Sequence, residues 1–425
     1  MQSKKIVIAT IGSLGDLHPA IALALELQRR GHQITLATSS VYEQKIEQAG
    51  INFHALRPHM PDNPEIVEKI MHPTKGAEFC FCELLLPRLS QTYTDLMDAV
   101  RGCNLLITNE IIFPASAISE KTGIPWISYT LQPASLFSVY DPPVLTGAPY
   151  LAKSRFLGVW VVKLFKQFVK FMTRSWAEPI RQLRKEVGLD NTNEPSVLFE
   201  GKFSPNLVLA MFSSVFAKPQ PDWIKQIKIT GFAFYDRHSS GNSLSGELQK
   251  FLATGEAPIV FTLGSAVVQT PGDFYRESLA AVQELNCRAV FLVGNLKLEM
   301  PSNAIAIDYA PYSELFPHAK AVVHQGGVGT TAQALRAGVP MLVVPFSYDQ
   351  PDNAARVVRL GVGRTISRKK YRRDTAVKEL QLLLSNPQYK TKALEVAQII
   401  QAENGVETAC DEIEIFLDSA IATPT

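Results

Sequence analysis

The hydrophobic pattern at the start of the chain predicts a strand, a glycine turn and a helix. Residues 4–11 form a continuous apolar run, as in a parallel strand that is buried on both faces. The turn at 12–16 follows, and apolar side chains then recur at helical spacing. We predict that this helix has Pro19 at its first position, where a proline removes no hydrogen bond, and that it ends at Gly31. A second strand is predicted at 32–38.

The same succession of strand, glycine turn and helix starts again with a strand at 257–263, so two similar halves are predicted. The other predicted strands lie at 104–108, 124–128, 288–293, 305–309, 321–324 and 341–344. Helices are predicted at 274–285 and from starts near Val328 and Asn353. This alternation is typical of open α/β sheets, which bind ligands at the carboxyl ends of their strands. The predicted fold class is therefore α/β, with two Rossmann-like domains.

A proline-rich stretch at 218–222 predicts the boundary between the halves. We expect one domain over 1–220, a second over 221–405 and a final helical segment over 406–425. Small polar residues at 237–246 predict a surface loop inside the second half. A chain of 425 residues, 46% hydrophobic and 19% charged, has the size and composition of two globular domains.

Charge and cysteine content exclude several classes of partner. A net charge of +2 provides no field that attracts nucleic acid, so no nucleic-acid partner is expected. Five scattered cysteines form no disulfide framework and indicate a reducing compartment, so the expected location is the cytoplasm. Cys80 and Cys82 are predicted on one side of an extended strand without a second pair, so no metal site is expected. No apolar run reaches the roughly 20 residues of a membrane span.

The stretch at 321–340 carries the strongest candidate chemistry, because a strand that ends in His324 turns through three glycines into a helix. Glycines let a phosphate approach the backbone, and the free N–H groups of a helix N-terminus favour a diphosphate. Thr330 and Thr331 add hydroxyl donors in the first turn, and either ring nitrogen of His324 can donate to the same group. The alternative interpretation is a glycine turn that is required only for packing.

A carboxylate and a carboxamide follow the next strand, at Asp349 and Gln350. Together they offer donors and acceptors that can hold vicinal hydroxyls of a sugar ring beside the diphosphate site. The alternative is an Asx turn and helix cap in front of Asn353, for which Asp349 also serves.

These two motifs resemble the donor-binding signature of the family 1 glycosyltransferases, which are nucleotide-sugar enzymes. The motifs are His-Gln-Gly-Gly-Val-Gly-Thr-Thr at 324–331 and Val-Pro-Phe-Ser-Tyr-Asp-Gln-Pro at 344–351. Gly-Ser-Leu-Gly-Asp-Leu-His-Pro at 12–19 resembles the family's N-terminal loop, and Phe-Thr-Leu-Gly-Ser at 261–265 resembles its entry into the second domain. The likeness covers nearly the whole chain. It is strongest for bacterial members that glycosylate sterols, lipids and other natural products, including the rhamnosyltransferase group.

The resemblance implies the GT-B fold, in which the two Rossmann-like domains face each other across a cleft. It assigns the acceptor to the first domain and the nucleotide sugar to the second, and a last helix at 411–420 is expected to cross back onto the first domain. The implied contacts to the diphosphate are His324, Gly327, Gly329 and Thr330. The implied contacts to the sugar are Asp349 and Gln350, and those to the nucleotide are Gly264 and Ser265. Tyr309 lies where the family holds the nucleobase, and it either stacks on that ring or is a core aromatic at a strand end.

The resemblance also implies a general base that removes the proton of the acceptor hydroxyl, because an alcohol is a poor nucleophile until its proton is removed. The candidate is Asp16, in a loop with Ser13 and Gly15, where many plant and macrolide-modifying relatives have histidine and other bacterial members share the aspartate. An ordinary aspartate titrates near ~4, so partial burial in the cleft would make it a better base. His18 is the second candidate, with a solvent-facing residue at the helix start as the alternative. Residues 109–110, Asn-Glu, occupy roughly the place of the family's second acid, and their role is left open.

The implied reaction is an inverting displacement that moves a hexose from a UDP or TDP sugar to a hydroxyl of a small, apolar or lipid-like acceptor. The sequence has no Asp-x-Asp motif, so we expect no metal and no cofactor besides the nucleotide-sugar co-substrate. His324 and the helix dipole are expected to neutralise the departing diphosphate. The alternatives are a sugar-nucleotide 2-epimerase of the same fold and a non-catalytic nucleotide-sugar binder. A nicotinamide-dependent oxidoreductase is weaker, because the turn at 12–15 lacks the full glycine fingerprint.

Residues 158–174 carry a basic amphipathic pattern. Apolar side chains recur at helical spacing, and lysines line a different face. Either this helix packs on the first domain as a wall of the acceptor pocket, or it makes peripheral contact with an anionic membrane. Packing is the favoured interpretation, because any surface helix is amphipathic.

Overall fold

The computed structural model describes residues 2–59, 63–146, 158–189, 199–236 and 244–422. Their strands form two sheets in which all neighbours are parallel. The first sheet contains β1 (Lys5–Ala9), β2 (Gln33–Thr38), β3 (Asn52–Ala55), β4 (Leu105–Asn109), β5 (Trp126–Thr130), β6 (Leu207–Ala210) and β7 (Ile227–Ile229). Its spatial order is β3-β2-β1-β4-β5-β6-β7.

The second sheet contains β8 (Ile259–Thr262), β9 (Ala289–Leu292), β10 (Ala304–Ile307), β11 (Ala321–His324), β12 (Met341–Val343) and β13 (Gly363–Thr365). Its spatial order is β10-β9-β8-β11-β12-β13. In each sheet the second and third strands add on one side of the first strand, β1 or β8, and the later strands add on its other side. Such a reversal of strand order opens a crevice at the carboxyl ends of the strands, where α/β proteins bind ligands.

The helices of the first domain are α1 (Leu14–Arg29), α2 (Glu43–Gln48), α3 (Pro64–Ile70), α4 (Gly76–Glu78), α5 (Leu89–Ala99), α6 (Ala115–Thr122), α7 (Val159–Met172) and α8 (Glu178–Glu186). Those that follow are α9 (Gly246–Leu252), α10 (Gly264–Val267), α11 (Phe274–Leu285), α12 (Tyr312–Leu315), α13 (Val328–Arg336), α14 (Gln350–Arg359), α15 (Arg373–Ser385), α16 (Pro387–Gln401) and α17 (Gly405–Ala422). Among the helices of these ranges, none combines the length and the apolarity that crossing a bilayer requires.

Helices cover both faces of each sheet, which is why the strands read as continuous apolar runs. Alternate side chains of a strand point to opposite faces. Ile6 and Ile8 of β1 pack in the cluster that contains Leu17 of α1, whereas Val7 and Ala9 pack in the cluster that α5 and α6 complete. The prediction of an α/β fold with two Rossmann-like domains is confirmed.

The first helix begins earlier than predicted. α1 starts at Leu14, because Ser13 caps it and accepts the Gly15 N–H at 3.2 Å through its hydroxyl. Pro19 lies inside the helix, where it removes only the hydrogen bond to the carbonyl of Gly15. Gly31, with φ +93°, follows the end of the helix as predicted.

Two other boundaries also differ from the sequence predictions. α14 starts at Gln350 and not near Asn353, because Pro351 fits its first turn. β7 still pairs with β6, so the first sheet continues beyond the boundary predicted at 220. Most of the surface loop predicted at 237–246 lies outside the described residues.

A buried arginine fixes α14 to the first domain. The guanidinium of Arg356, 2% exposed, pairs with Asp352 at 2.7 Å and with Asp141 at 2.9 Å. It also lies 3.3 Å from the carbonyl oxygen of Phe216. Because Asp141 and Phe216 precede the second sheet, these bonds join the two domains.

The last helix packs against the first domain. Cys410, Ile413 and Leu417 of α17 are buried in the same cluster as β1 and α1. Arg30, at the end of α1, donates to the carboxylates of Asp411 and Glu414, both at 2.6 Å. The chain therefore ends on the domain in which it began.

Ile413→Ala should lower the free energy of unfolding by about 2–5 kcal/mol, because it leaves a cavity in a packed core. Ile415→Ala on the same helix should change it by less than about 0.5 kcal/mol, because Ile415 is 62% exposed. Urea denaturation monitored by circular dichroism measures both values. Equal losses in the two variants would contradict this packing of α17.

Candidate active site

A cleft of about 1460 Å³ opens at the carboxyl ends of the strands of both sheets. Its walls include residues that follow β1, β4 and β5 on one side and β8, β10, β11 and β12 on the other. A pocket for one small molecule measures about 300–1,000 Å³. The cleft therefore has room for two ligands, one against each domain.

The N-terminus of α13 is open toward this cleft. Gly327 occupies the cap position and has no side chain that could cap the helix, and the first hydrogen bond inside the helix runs from the Thr331 N–H to its carbonyl at 2.9 Å. The N–H groups of the three preceding residues consequently have no acceptor within the helix. A Cβ on Gly329 would meet no atom within 4 Å, so there is space in front of these donors. This arrangement suits a diphosphate.

Gly326 explains why the turn into α13 needs glycine. Its φ is +90°, and a Cβ there would lie 2.7 Å from Cγ1 of Val343. The packing interpretation therefore applies to Gly326, whereas Gly329 has no such neighbour and borders the open cleft.

His324 is fully buried, and burial lowers its pKa to about 3. Its Nδ1 accepts the Gly326 N–H at 3.1 Å, so the proton of the neutral ring is on Nε2. In the described part of the chain, Nε2 has no hydrogen-bond partner. The expectation that either ring nitrogen can donate to a ligand is therefore wrong, because Nδ1 is engaged and the neutral ring can donate only from Nε2.

The two threonines of α13 differ in their hydroxyl contacts. Thr331 donates to the carbonyl of Gly327 at 2.9 Å and is fully buried, so the expectation that it serves a ligand is wrong. Thr330 lines the cleft beside Gly329. Of these two hydroxyls, only that of Thr330 borders the cleft.

Sequence reasoning missed Gln325, although it lies inside the quoted motif. A Cβ on Gly264 would lie 2.4 Å from its Nε2, and one on Gly327 would lie 2.8 Å away. Both glycines therefore make room for this amide, which lines the cleft and is only 4% exposed. Within the described ranges its Oε1 has no partner. The signal in the sequence was an amide between the end of a buried strand and a glycine turn.

Asp349 precedes the first residue of α14, but its side chain does not cap the helix. The capping alternative is therefore wrong. The carboxylate accepts a hydrogen bond from Nδ2 of Asn353 at 2.6 Å and faces the cleft. Burial raises the pKa of Asp349 to about 7, and the negative charge of Asp16 contributes to this rise. The two carboxylates therefore influence each other across the cleft.

Gln350 offers less to a ligand than predicted. Its Oε1 accepts the N–H groups of Phe346 and Ser347, at 2.8 and 3.1 Å. These bonds hold the loop in front of α14 in place. The amide hydrogens of Gln350 are the part of this side chain that remains for a sugar hydroxyl.

Tyr348, next to Asp349, contacts the first domain across the cleft. Its hydroxyl lies 2.8 Å from the carbonyl oxygen of Ile70 and 3.2 Å from that of Gly76. Its φ of +54° is uncommon for a residue with a side chain, and the contacts with the first domain help to hold it. The position of Asp349 is therefore tied to the segment at 70–76. Nothing in the sequence pattern indicated this contact.

The side chains expected around the nucleotide line the cleft. Tyr309 follows β10 and is 61% exposed, so the core-aromatic alternative is wrong and its ring is accessible for stacking. Gly264 has φ +62° and begins α10, and the exposed Ser265 is next to it. These residues border the same opening as α13.

Asp16 lies in the first turn of α1, where it completes a capping box with Ser13. The Ser13 N–H donates to its Oδ2 at 2.9 Å. A Cβ on Gly12, whose φ is +141°, would lie 2.1 Å from the same oxygen, so only glycine leaves room for the carboxylate. Burial raises the pKa of Asp16 to about 6, against the lowering effect of the Ser13 hydrogen bonds, and the charge of Glu110 raises it further. Asp16 is thus a stronger base than an ordinary aspartate, yet mostly ionised at neutral pH.

The residues at 109–110 have separate roles. Asn109 donates to the Thr10 hydroxyl at 3.0 Å and to the carbonyl of Ile11 at 2.9 Å, which joins the ends of β1 and β4. Glu110 accepts a hydrogen bond from the Ser135 hydroxyl and lines the cleft. It acts on Asp16 through its charge.

His18 also lines the cleft, and its ring centroid lies 5.3 Å from that of Tyr235. The alternative that it faces solvent is therefore wrong. The described residues contain no group of three or more histidine, cysteine or acidic side chains that could hold a metal ion. Cys80 and Cys82 lie in a π-helical segment at Phe79–Leu85, so the strand predicted for them is wrong.

Comparison with known proteins gives this cleft a context. Residues 6–81 match the glycosyltransferase family 28 N-terminal domain, and residues 279–413 match the erythromycin biosynthesis protein CIII-like C-terminal domain. O-mycaminosyltylonolide 6-deoxyallosyltransferase of Streptomyces fradiae is 30% identical, over 99% of this chain and 99% of its own length. A sterol 3-beta-glucosyltransferase of Pichia angusta is 26% identical over 97% of this chain, which spans 33% of that enzyme.

Spinosyn rhamnosyltransferase SpnG, complexed with thymidine diphosphate, has the same fold. It superimposes with a TM-score of 0.69 at 16% identity, over 96% of this chain and 100% of that one. The fold and the cleft between two Rossmann-like domains define a GT-B protein. The chain belongs to the family 1 glycosyltransferases, as its motifs indicated, and it is a glycosyltransferase.

Gly329→Ala tests whether α13 binds a diphosphate. The methyl group should leave the melting temperature unchanged or slightly raised, because it meets no protein atom and alanine favours a helix by about 1 kcal/mol over glycine. It should weaken the binding of UDP or TDP at least tenfold, because it occupies the space in front of the free N–H groups. Isothermal titration calorimetry measures the affinity.

Gly246→Ala is the matched control, because Gly246 also lies in the first turn of a helix, is also exposed and also has no atom within 4 Å of a Cβ, but lies outside the cleft. It should leave nucleotide affinity unchanged. If Gly329→Ala binds UDP or TDP as tightly as the wild type does, the diphosphate does not bind at the N-terminus of α13.

Proposed function

We propose that this glycosyltransferase moves a hexose, with inversion, from a UDP or TDP sugar to a hydroxyl of a small, apolar or lipid-like acceptor. The observation that carries the proposal is that one cleft presents two complementary sites. The second domain offers the open N-terminus of α13, and the first offers a carboxylate whose pKa is about 6. Binding of an anionic leaving group and removal of a proton from an alcohol are the two tasks of the reaction.

The donor is held by contacts to its three parts. The N–H groups at the start of α13, the Thr330 hydroxyl and Nε2–H of His324 bind the diphosphate and stabilise it as it departs. Asp349 accepts from sugar hydroxyls, and the amide of Gln350 donates to them. Tyr309 stacks on the nucleobase, beside Gly264 and Ser265. Thymidine diphosphate in the related spinosyn rhamnosyltransferase supports a TDP sugar, and UDP is the other candidate.

Asp16 removes the proton of the acceptor hydroxyl as its oxygen attacks the anomeric carbon. The carbon–oxygen bond to the diphosphate breaks on the opposite face, so one displacement inverts the anomeric configuration. The proton ends on Asp16, and the negative charge ends on the nucleotide diphosphate. The chain's own donors meet that charge, and we propose that the reaction needs no metal.

The acceptor side of the cleft is largely apolar. Its lining in the first domain includes Ile66, Met71, Phe81, Leu84, Leu85 and Phe113. Such a wall fits an aglycone with a broad hydrophobic face and one reacting hydroxyl. The names of the relatives, a tylonolide glycosyltransferase and sterol glucosyltransferases, support this class of acceptor.

All five cysteines are free, which is consistent with our proposal of a cytoplasmic location.

The first experiment measures the thermal stabilisation of the protein by a panel of UDP and TDP sugars, with the bare diphosphates as controls. The stabilising donor is then incubated with a sterol and with a macrolide aglycone, and product NMR gives the anomeric configuration. An inverted glycoside supports the proposal. A changed sugar without any acceptor would identify an epimerase, and stabilisation without turnover would favour a binder.

Asp16→Asn should lower kcat about 10²–10⁴-fold without weakening donor binding, because the amide is no base but still accepts the Ser13 N–H. In the wild type, kcat/KM should fall as the pH drops through about 7 and then about 6, where Asp349 and then Asp16 become protonated. The variant should lose the part of this acid limb that comes from Asp16.

His18→Gln distinguishes the two candidate bases. It should retain most of kcat and keep the acid limb. If His18→Gln loses kcat while Asp16→Asn stays active, His18 and not Asp16 is the general base.

A further inference from the structure

The helix α7 has two apolar faces, and only one of them is packed. Val162, Phe165 and Val169 contact Phe137 and Phe199 in a small core cluster. The other face is exposed and carries Trp160, Leu164, Phe168, Phe171 and Met172, which are between 58% and 72% exposed. None of the described residues of α7 lines the cleft, so the interpretation as a wall of the acceptor pocket is wrong.

This exposure is concentrated on one helix. The described residues include sixteen large apolar side chains that are exposed, and six of them belong to α7. At about 100° per residue, the five named side chains cover roughly a third of the helix circumference. We name this stripe the apolar face of α7. A continuous patch of this kind indicates an interaction surface.

The charges beside the apolar face are positive. α7 contains no acidic residue, exposed Lys163 lies beside the apolar face, and exposed Arg174 follows the end of the helix. Lys170 pairs with Glu200 at 2.7 Å, and Lys166 lies 3.8 Å from the same carboxylate, so these two lysines are partly neutralised. A tryptophan and phenylalanines on one exposed face, with cations beside them, are typical of helices that lie in the interface of an anionic membrane.

We propose that α7 docks this enzyme on an anionic lipid surface, with its apolar face inserted among the acyl chains and Lys163 and Arg174 at the phosphate level. A second copy of the chain fits less well, because pairing two such helices would bring their uncompensated cations together.

The docking helix is attached to the acceptor side of the cleft. Nζ of Lys166 donates to the carbonyl of Phe137 at 3.0 Å. Leu145 packs on the same cluster as α7, and Leu145 and Ser135 both line the cleft. Docking would therefore hold the acceptor side near the membrane, where an apolar acceptor is concentrated; this consequence alone rests on the proposed function.

Vesicle sedimentation tests the proposal without donor or acceptor, so its result is independent of the glycosyl transfer. The purified full chain should sediment with phosphatidylcholine vesicles that contain phosphatidylglycerol. It should bind pure phosphatidylcholine more weakly, and high salt should reduce the difference. The fluorescence of Trp160 should shift to the blue on binding, and Trp160→Phe should remove this shift.

Leu164→Glu/Phe168→Glu should lower vesicle partitioning more than tenfold while the melting temperature stays unchanged, because both side chains are exposed. Leu382→Glu/Leu384→Glu on α15 is the matched control, with the same change at exposed leucines of another helix, and should bind as the wild type does.

Three results would overturn the proposal: no sedimentation of the wild type with either vesicle, equal binding by the α7 variant, or a wild-type dimer that the α7 substitutions split into monomers without any vesicle binding. Light scattering coupled to size exclusion measures the last of these.

Discussion

Two helix N-termini face each other across the cleft, and the chemistry of the site depends on what occupies each of them. A helix N-terminus has free N–H groups and a positive dipole end, so it attracts negative charge. At α1 the chain fills this position itself, with the carboxylate of Asp16 in the capping box of Ser13. At α13 it places Gly327 at the cap and Gly329 in the first turn, and leaves the position to a ligand. The same succession of strand, glycine turn and helix therefore presents a carboxylate at the cleft in one domain and a helix N-terminus without a side-chain cap in the other.

Side chains from the core hold both sites in place. Gln325 fills the space beside Gly264 and Gly327, so the loop at Gly264 and the turn into α13 share one buried amide. Gln350 uses its carbonyl to hold the loop in front of α14, and Tyr348 ties that loop to the first domain. The buried Arg356 joins α14 to the first domain. Asp349 and Gln350 are thus positioned by contacts with both domains.

The sequence predicted the repeated fold and the glycine turn into α13 well, because buried parallel strands and glycine turns have strong local patterns. It failed where two local signals competed. Pro19 resembled a helix start, but the cap at Ser13 sets the beginning of α1. The neutral state of His324 could not be predicted, because it follows from burial and from the N–H of Gly326. The contact of Tyr348 with Ile70 joins residues far apart in the chain, and no periodicity encodes it.

The raised pKa values connect the two sites. Asp16 and Asp349 are both desolvated, and the charge of Asp16 raises the pKa of Asp349. A bound diphosphate would add negative charge and make Asp16 a stronger base, because proton uptake then relieves repulsion. A sugar hydroxyl that donates to Asp349 would act in the opposite direction and keep that carboxylate ionised. Donor binding would therefore separate the proton affinities of two similar carboxylates, so that one becomes the base and the other remains a hydrogen-bond acceptor.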